Sequence, residues 1–272
     1  MEVTIGIKYY IFMNDVINSF INLPKYLIMN ITKYIPNLFT LLNLLSGTIA
    51  VIFAVNGQLV PAAFFVFLGV FFDFFDGFFA RLFNVEGELG KQLDSLADVV
   101  TSGVVPGIVM FQLLNGAIES EGYFAGIKIF SRNTTAMVSF FGLAITLASA
   151  YRLAKFNIDE RQTESFIGLP TPAASLAVVS LPLMLEYSSF ELVSIVLHSK
   201  WFLLILTAVL CYLMNAEIPL FSLKFKNYKW KDNQVKYVFL ISSVILVVAL
   251  QFIAIPLVVL LYVLLSLNKK KQ

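Results

Sequence analysis

Asp73, Asp76, Asp94 and Asp98 interrupt an otherwise apolar stretch, F-F-D-F-F-D-G-F-F-A-R-L-F-N-V-E-G-E-L-G-K-Q-L-D-S-L-A-D. An ionised carboxylate in a bilayer is costly unless something neutralises it, so such residues are functional candidates by default. Asp73 and Asp76 are three apart and Asp94 and Asp98 four apart, which puts each pair on one face of its own helix. Two facing helices could then close four carboxylates around one or two divalent cations. Carboxylate oxygens with water and phosphate are what magnesium and manganese prefer. On rigid helices they suit a two-metal clamp for displacement at phosphorus. Gly77 and Ala80 leave room beside the acids for a flat or bulky ligand, and Arg81 supplies a fork suited to phosphate oxygens. Gly90 is expected to let the third helix approach the second. Polar residues that only mark a solvated helix end or glue helices together are the plain alternative, but four acids at these spacings favour a site.

The elements that must carry these residues are membrane helices. The chain has 272 residues, 59% hydrophobic and 13% charged, with a mean hydropathy of +0.84. Soluble domains carry about 25% charged residues, so an all-α integral membrane protein is expected. Eight hydrophobic spans are read near 37–56, 59–81, 92–114, 134–155, 170–187, 201–216, 235–250 and 252–268. The last two, parted by Gln251 and Pro256, are a helical hairpin or one kinked element. With both termini inside, only Lys128, Arg132 and Lys200 fall outside, leaving 16 of the 19 Lys and Arg on the cytoplasmic side. The acids then lie at the cytoplasmic ends of their helices. Phe12, Val16, Ile17, Phe20 and Ile21, continued by Leu27, Ile28 and Ile31, predict an amphipathic helix on the inner leaflet. The expected organisation is an N-terminal segment 1–33, a transmembrane domain 34–268 and a basic tail 269–272, with Met13 or Met29 as alternative starts.

Several function classes are disfavoured. No phosphate-binding glycine loop or nucleic-acid module is present, and no cleavable signal peptide is evident. Cys211 is the only cysteine, which excludes an intrachain disulfide. His198 stands alone in an outer loop, Trp201 and Trp230 suit membrane interfaces, and Lys224–Lys236 reads as an inner-leaflet anchor. A cation or proton transporter would place its acids near the midplane, often within internal repeats. Here no repeat is seen.

The pattern D-x2-D-G-x2-A-R-x8-G-x3-D-x3-D, Asp73 to Asp98, resembles at every defined position the signature of the CDP-alcohol phosphatidyltransferase family. The resemblance implies a core of six membrane helices and transfer of a phosphatidyl group from a CDP-linked lipid to an alcohol. Tyr34–Asn43, Ser95–Pro106, Tyr151–Asn157, Phe166–Ala174 and Ile218–Phe225 resemble the membrane-embedded bacterial phosphatidylserine synthases, which add two C-terminal helices to that core. Two departures stand out: Ser102 before Gly103, where the subfamily usually has Phe, and Lys155, where arginine is common.

By this resemblance Asp73, Asp76 and Asp94 are the principal ligands of Mg2+ or Mn2+, two cations in all, with Asp98 completing the set and serving as candidate general base beside Asp94. Asn37, Thr40, Gly77, Ala80 and Arg81 form the CDP side, although Asn37 and Thr40 could instead cap a helix after Pro36 and make a polar helix interface. Thr101 and Ser102 line a pocket floor or back-bond to their own helix. Arg152 and Lys155 are candidates for the serine carboxylate, anchoring in the headgroup region being the competing role. Gly168–Pro172 is a rigid loop over the site or a helix start. The implied partners are CDP-diacylglycerol, L-serine and membrane lipids, with a possible homodimer, in a bacterial inner membrane with the site facing the cytoplasm. The alternatives are another acceptor, such as glycerol 3-phosphate or an inositol phosphate, and a divalent-cation or proton transporter.

Overall fold

The computed structural model describes residues 25–124, 137–159, 166–221 and 229–269. Helix α1 (Lys25–Val55) runs without interruption through Pro36 into the first apolar stretch. The amphipathic segment expected before it lies outside the described residues over 1–24, as do the side chains of 25–33. Gly57, at φ 75°, makes the turn into α2 (Leu59–Phe83). Asn84 ends α2 in the left-handed conformation, its N–H on Arg81 O and that of Val85 on Ala80 O, a C-terminal cap that closes the orphan carbonyls. Thereafter come α3 (Glu88–Asp98), a π-helical turn Val99–Val104, and α4 (Val105–Phe124).

A short 3-10 turn, Phe140–Leu143, leads into α5 (Ala144–Ile158). Next are strand β1 (Phe166–Ile167), helix α6 (Thr171–Tyr187), α7 (Glu191–Leu197) and α8 (Lys200–Asn215). Strand β2 (Pro219–Leu220) pairs antiparallel with β1, a two-residue tie in an otherwise all-α protein. Helices α9 (Trp230–Leu250) and α10 (Ala254–Lys269) complete the chain.

Five described segments are long and apolar enough to cross a membrane: Tyr34–Val55, Leu59–Phe83, Glu88–Ile118, Met137–Ile158 and Asn233–Leu267. The pair α7 and α8, bent by 74°, would make a sixth, and Thr171–Tyr187 is a shorter apolar helix. The last segment is folded back on itself. Phe239 and Tyr262 are 23 positions apart, which a continuous helix would separate by about 35 Å, yet their ring centroids lie 5.6 Å apart. Gln251, at φ 48°, makes the reversal, so α9 and α10 are a hairpin.

The helices show the burial expected in lipid, with large apolar side chains outward and small or polar ones inward. Leu38, Leu41 and Leu45 of α1 and Phe71, Phe74 and Phe78 of α2 are exposed. Thr40, Asn43, Gly47 and Gly69 are buried. The two glycines admit the π-turn. A Cβ on Gly69 would stand 2.6 Å from Thr101 Cγ2, and one on Gly47 would overlap Thr101 Oγ1. A π-turn widens the helix and frees backbone carbonyls. Here Gly103 O accepts from Thr146 Oγ1 of α5 at 3.0 Å, while Thr101 Oγ1 donates to Asn43 O of α1 at 3.1 Å. Three elements are thereby locked just below Asp98.

Candidate active site

The α2–α3 hairpin brings its acids together. Oxygens of Asp73, Asp76 and Asp94 all lie within 4.8 Å of one another. Three carboxylates this close repel strongly unless a cation sits among them, and hard oxygen donors are what magnesium and manganese take. Asp94 Oδ1 is buried and has no hydrogen-bond partner, an oxygen that a cation would satisfy. The residues present therefore fit a divalent ion. Asp98 lies outside this triangle, 6% exposed, in side-chain contact with Asp73.

Helix α1 presents a polar stripe to these acids. Thr40 Oγ1 donates to Asp76 Oδ2 at 2.7 Å, and Asn43 Nδ2 donates to Asp98 Oδ1 at 3.2 Å. Thr40 also reaches Pro36 O at 3.2 Å. Its hydroxyl thus orients an acid across a polar helix interface, one of the roles the sequence left open for it. Asn43 was given no role from sequence. Its signal was there: Asn37, Thr40 and Asn43 follow at helical spacing on one face.

Asn37 is half-buried, and its Oδ1 would lie 3.5 Å from a Cβ on Gly90. Gly90 therefore faces α1 at ordinary contact distance; the expectation that it seats the third helix against the second is corrected. The close approaches are made by Gly47 of α1 and Gly69 of α2, both to Thr101 of the π-turn, and the sequence did not mark them. Arg81 is exposed and folds back along its own helix, its Nη1 3.4 Å from where a Cβ on Gly77 would be. Ala80 is half-buried beside it. Thr101 takes an interhelical bond to α1, and Ser102 Oγ is buried without a partner.

The opposite wall is built by α5, α6 and the β1–β2 tie. Arg152 is 7% exposed, its Nη1 donating to Thr171 Oγ1 at 3.2 Å and its Nη2 to Gly168 O at 3.5 Å. Its Nε is buried with no partner, and the guanidinium lies within electrostatic reach of Asp98. Lys155, three residues on, instead pairs with Glu217 at 3.4 Å on a solvent-exposed rim. The structure thus parts two residues that the sequence had grouped. Gly168 holds φ 76° and donates to Ile218 O at 2.9 Å; a Cβ there would stand 2.5 Å from Met214 O. The Gly168–Pro172 segment is accordingly a tethered bend running straight into α6, with Thr171 in its first turn. A further latch joins α3 to α5: Asn157 Nδ2 donates to Ser95 Oγ at 2.8 Å and Lys91 Nζ to Asn157 O at 2.7 Å.

Among the described residues the His198 ring reaches only Ser194, within its own turn, and Cys211 is a half-buried free thiol.

Residues 33–267 match the family profile described as CDP-alcohol phosphatidyltransferase. The chain is 33% identical over 149 residues to the CDP-diacylglycerol–serine O-phosphatidyltransferase of Bacillus subtilis, covering 55% of this chain and 75% of that protein. It is 35% identical over 146 residues to the Helicobacter pylori protein of the same name, covering 53% and 55%. To the archaetidylserine synthase of Methanothermobacter thermautotrophicus it is 32% identical over 166 residues, covering 59% and 64%. The chain therefore spans three quarters of the first relative and less than two thirds of the other two. With its profile matched across nearly all the described helices and its acids gathered at one bundle end, the chain belongs to the CDP-alcohol phosphatidyltransferase family.

Proposed function

We propose that this chain transfers the phosphatidyl group of CDP-diacylglycerol to the hydroxyl of L-serine, releasing CMP. The observation that carries the reading is the meeting of Asp73, Asp76 and Asp94 within 4.8 Å, opposite a buried arginine. These three, with Asp98, would hold two divalent cations, Mg2+ or Mn2+. When bound, such cations neutralise charge on the pyrophosphate and on the attacking and leaving oxygens. Serine names the acceptor because two of the relatives are called serine phosphatidyltransferases and a third an archaetidylserine synthase.

In this reading the serine oxygen attacks the phosphorus bearing diacylglycerol, and the bond from that phosphorus to the CMP oxygen breaks. Asp98, held at Oδ1 by Asn43, takes the hydroxyl proton on its other oxygen. Asn37, Gly77, Ala80 and Arg81 form the nucleotide side, and Thr40 serves it through Asp76. Arg152 offers its unpartnered Nε edge to the serine carboxylate, while Lys155 acts at the rim, where it is already ion-paired. A cavity of about 550 Å3 between α6 and the α9–α10 hairpin, lined by Pro170, Leu176, Val244, Val258 and Tyr262, would take an acyl chain of the donor. The chain would cross a bacterial inner membrane eight times, with both ends and the acids on the cytoplasmic side.

The test is CMP release by the purified protein from CDP-diacylglycerol with magnesium or manganese and a panel of alcohols. Serine alone should support release. Release with glycerol 3-phosphate or an inositol phosphate would reassign the acceptor, and metal flux in vesicles without any release would favour transport.

Thr40→Val gives a second check. It keeps the side-chain shape and removes the bond to Asp76. Loss of a bond that orients a metal ligand costs roughly 10–100-fold in metal affinity. The magnesium activation curve should shift by about that factor, with turnover at saturating metal much less affected.

A further inference from the structure

We infer that Tyr262 and Ser266, one turn of α10, are positioning residues for Arg152, so that the C-terminal hairpin tunes acceptor binding. The inference rests on the phosphatidylserine reading above and adds a role for the hairpin in it.

The links run as follows through the fold. Tyr262 Oη donates to Phe221 O at 2.9 Å, and Phe221 N donates to Ser266 Oγ at 3.5 Å. Ser266 Oγ in turn donates to Tyr262 O at 2.7 Å, which fixes that hydroxyl as an acceptor toward Phe221. One helical turn thus grips both backbone polar groups of a single residue. The side chain is held as well: the Phe221 ring lies 4.9 Å from Tyr262 and 5.8 Å from Phe239, both edge-on. Phe221, Tyr262 and Ser266 are all buried.

Phe221 directly follows β2, whose Pro219 and Leu220 pair with Ile167 and Phe166. The next residue, Gly168, donates to Ile218 O and accepts from Arg152 Nη2. An unbroken chain of contacts therefore joins the hairpin to the arginine: hydroxyl to Phe221, strand to strand, bend to guanidinium. Independently, Tyr262 and Arg152 lie within electrostatic reach of each other. A side chain placed by a packed, hydrogen-bonded shell loses its position when that shell loosens. Neither α10 residue touches the acids, and Ser266 also lies outside the acyl cavity that Tyr262 helps to line, so Ser266→Ala is the change the donor half of the site should not feel.

The experiment uses the full-length protein in detergent with CDP-diacylglycerol, magnesium and L-serine. Tyr262→Phe keeps the ring and removes the hydroxyl; Ser266→Ala removes the other grip. Each should raise the serine KM by roughly fivefold, the worth of one neutral hydrogen bond. In Ser266→Ala the CDP-diacylglycerol KM and kcat should stay near wild type, and in both variants Tm should move by no more than about 4 °C. An unchanged serine KM in either variant, or equal rises in both KM values in Ser266→Ala, would overturn the inference. The second readout needs no turnover: phenylglyoxal should modify Arg152 several-fold faster in Tyr262→Phe than in wild type, scored by mass spectrometry. An unchanged rate overturns the linkage. Wild-type protein that releases no CMP with serine would strike the acceptor assignment instead, and the modification rates would still decide whether the hairpin positions Arg152.

Discussion

Asp94→Asn is expected to lower turnover by on the order of 10^3-fold or more while leaving the fold intact. The asparagine keeps the shape of the side chain and removes its charge. In the structure Asp94 Oδ1 is buried without a hydrogen-bond partner and shares a 4.8 Å triangle with Asp73 and Asp76. Without a cation these acids repel, so removing one charge relieves the empty site. The mutant should therefore unfold at a temperature equal to or above that of the metal-free wild type. Magnesium should raise the wild-type Tm, since a ligand at about 100 times its Kd contributes roughly 2.7 kcal/mol. In Asp94→Asn that rise should vanish. Asp98→Asn should lose turnover similarly while keeping its bond to Asn43, because an amide oxygen accepts from Nδ2 as a carboxylate does. Near-normal activity in either mutant, or a metal-induced Tm rise that survives in Asp94→Asn, would sink the metal account.

Arg152→Gln should raise the serine KM by about 10–100-fold, the range for losing a charge-assisted hydrogen bond from a desolvated pocket. Glutamine can still donate to Thr171 or Gly168, so the bend before α6 keeps a partner. What disappears is the fixed positive fork and its free Nε edge. Lysine should not restore affinity, because its point charge lacks that geometry. Ethanolamine, which has the hydroxyl and ammonium of serine but no carboxylate, makes the comparison sharp. Its inhibition constant against serine turnover should be nearly the same in wild type and mutant. Equal losses for both alcohols would show that Arg152 holds the fold or the donor and not the acceptor carboxylate.

The four acids were legible because their signal is local. A charge in an apolar run is anomalous wherever the helices later sit, and spacings of three and four fix a shared face from helix geometry alone. Thr40 was legible as a residue but not as a single role. Whether a hydroxyl at that position caps its helix, meets a nucleotide or orients Asp76 depends on what lies opposite, 36 positions along the chain. Asn43 belonged to the same stripe and was passed over for the same reason. Arg152 and Lys155 show the limit from the other side. Their spacing suggested a joint role, but one points into the bundle and the other to the rim.

The sequence by itself determined the membrane class, the helical segments, the acids and their pairing, since these follow from hydropathy and the period of the α-helix. Tertiary structure decided the rest. It folded 235–268 into a hairpin, as Phe239 against Tyr262 requires, where hydropathy allowed a kinked rod as well. It placed a π-turn after Asp98 and made Gly47 and Gly69 its seat. It also joined the last helix to Arg152 through Phe221 and the β1–β2 tie. In a bilayer nearly every helix is apolar on several faces, so composition does not set its rotation or depth. Those are set by where small residues let backbones meet and where each buried polar group finds its partner.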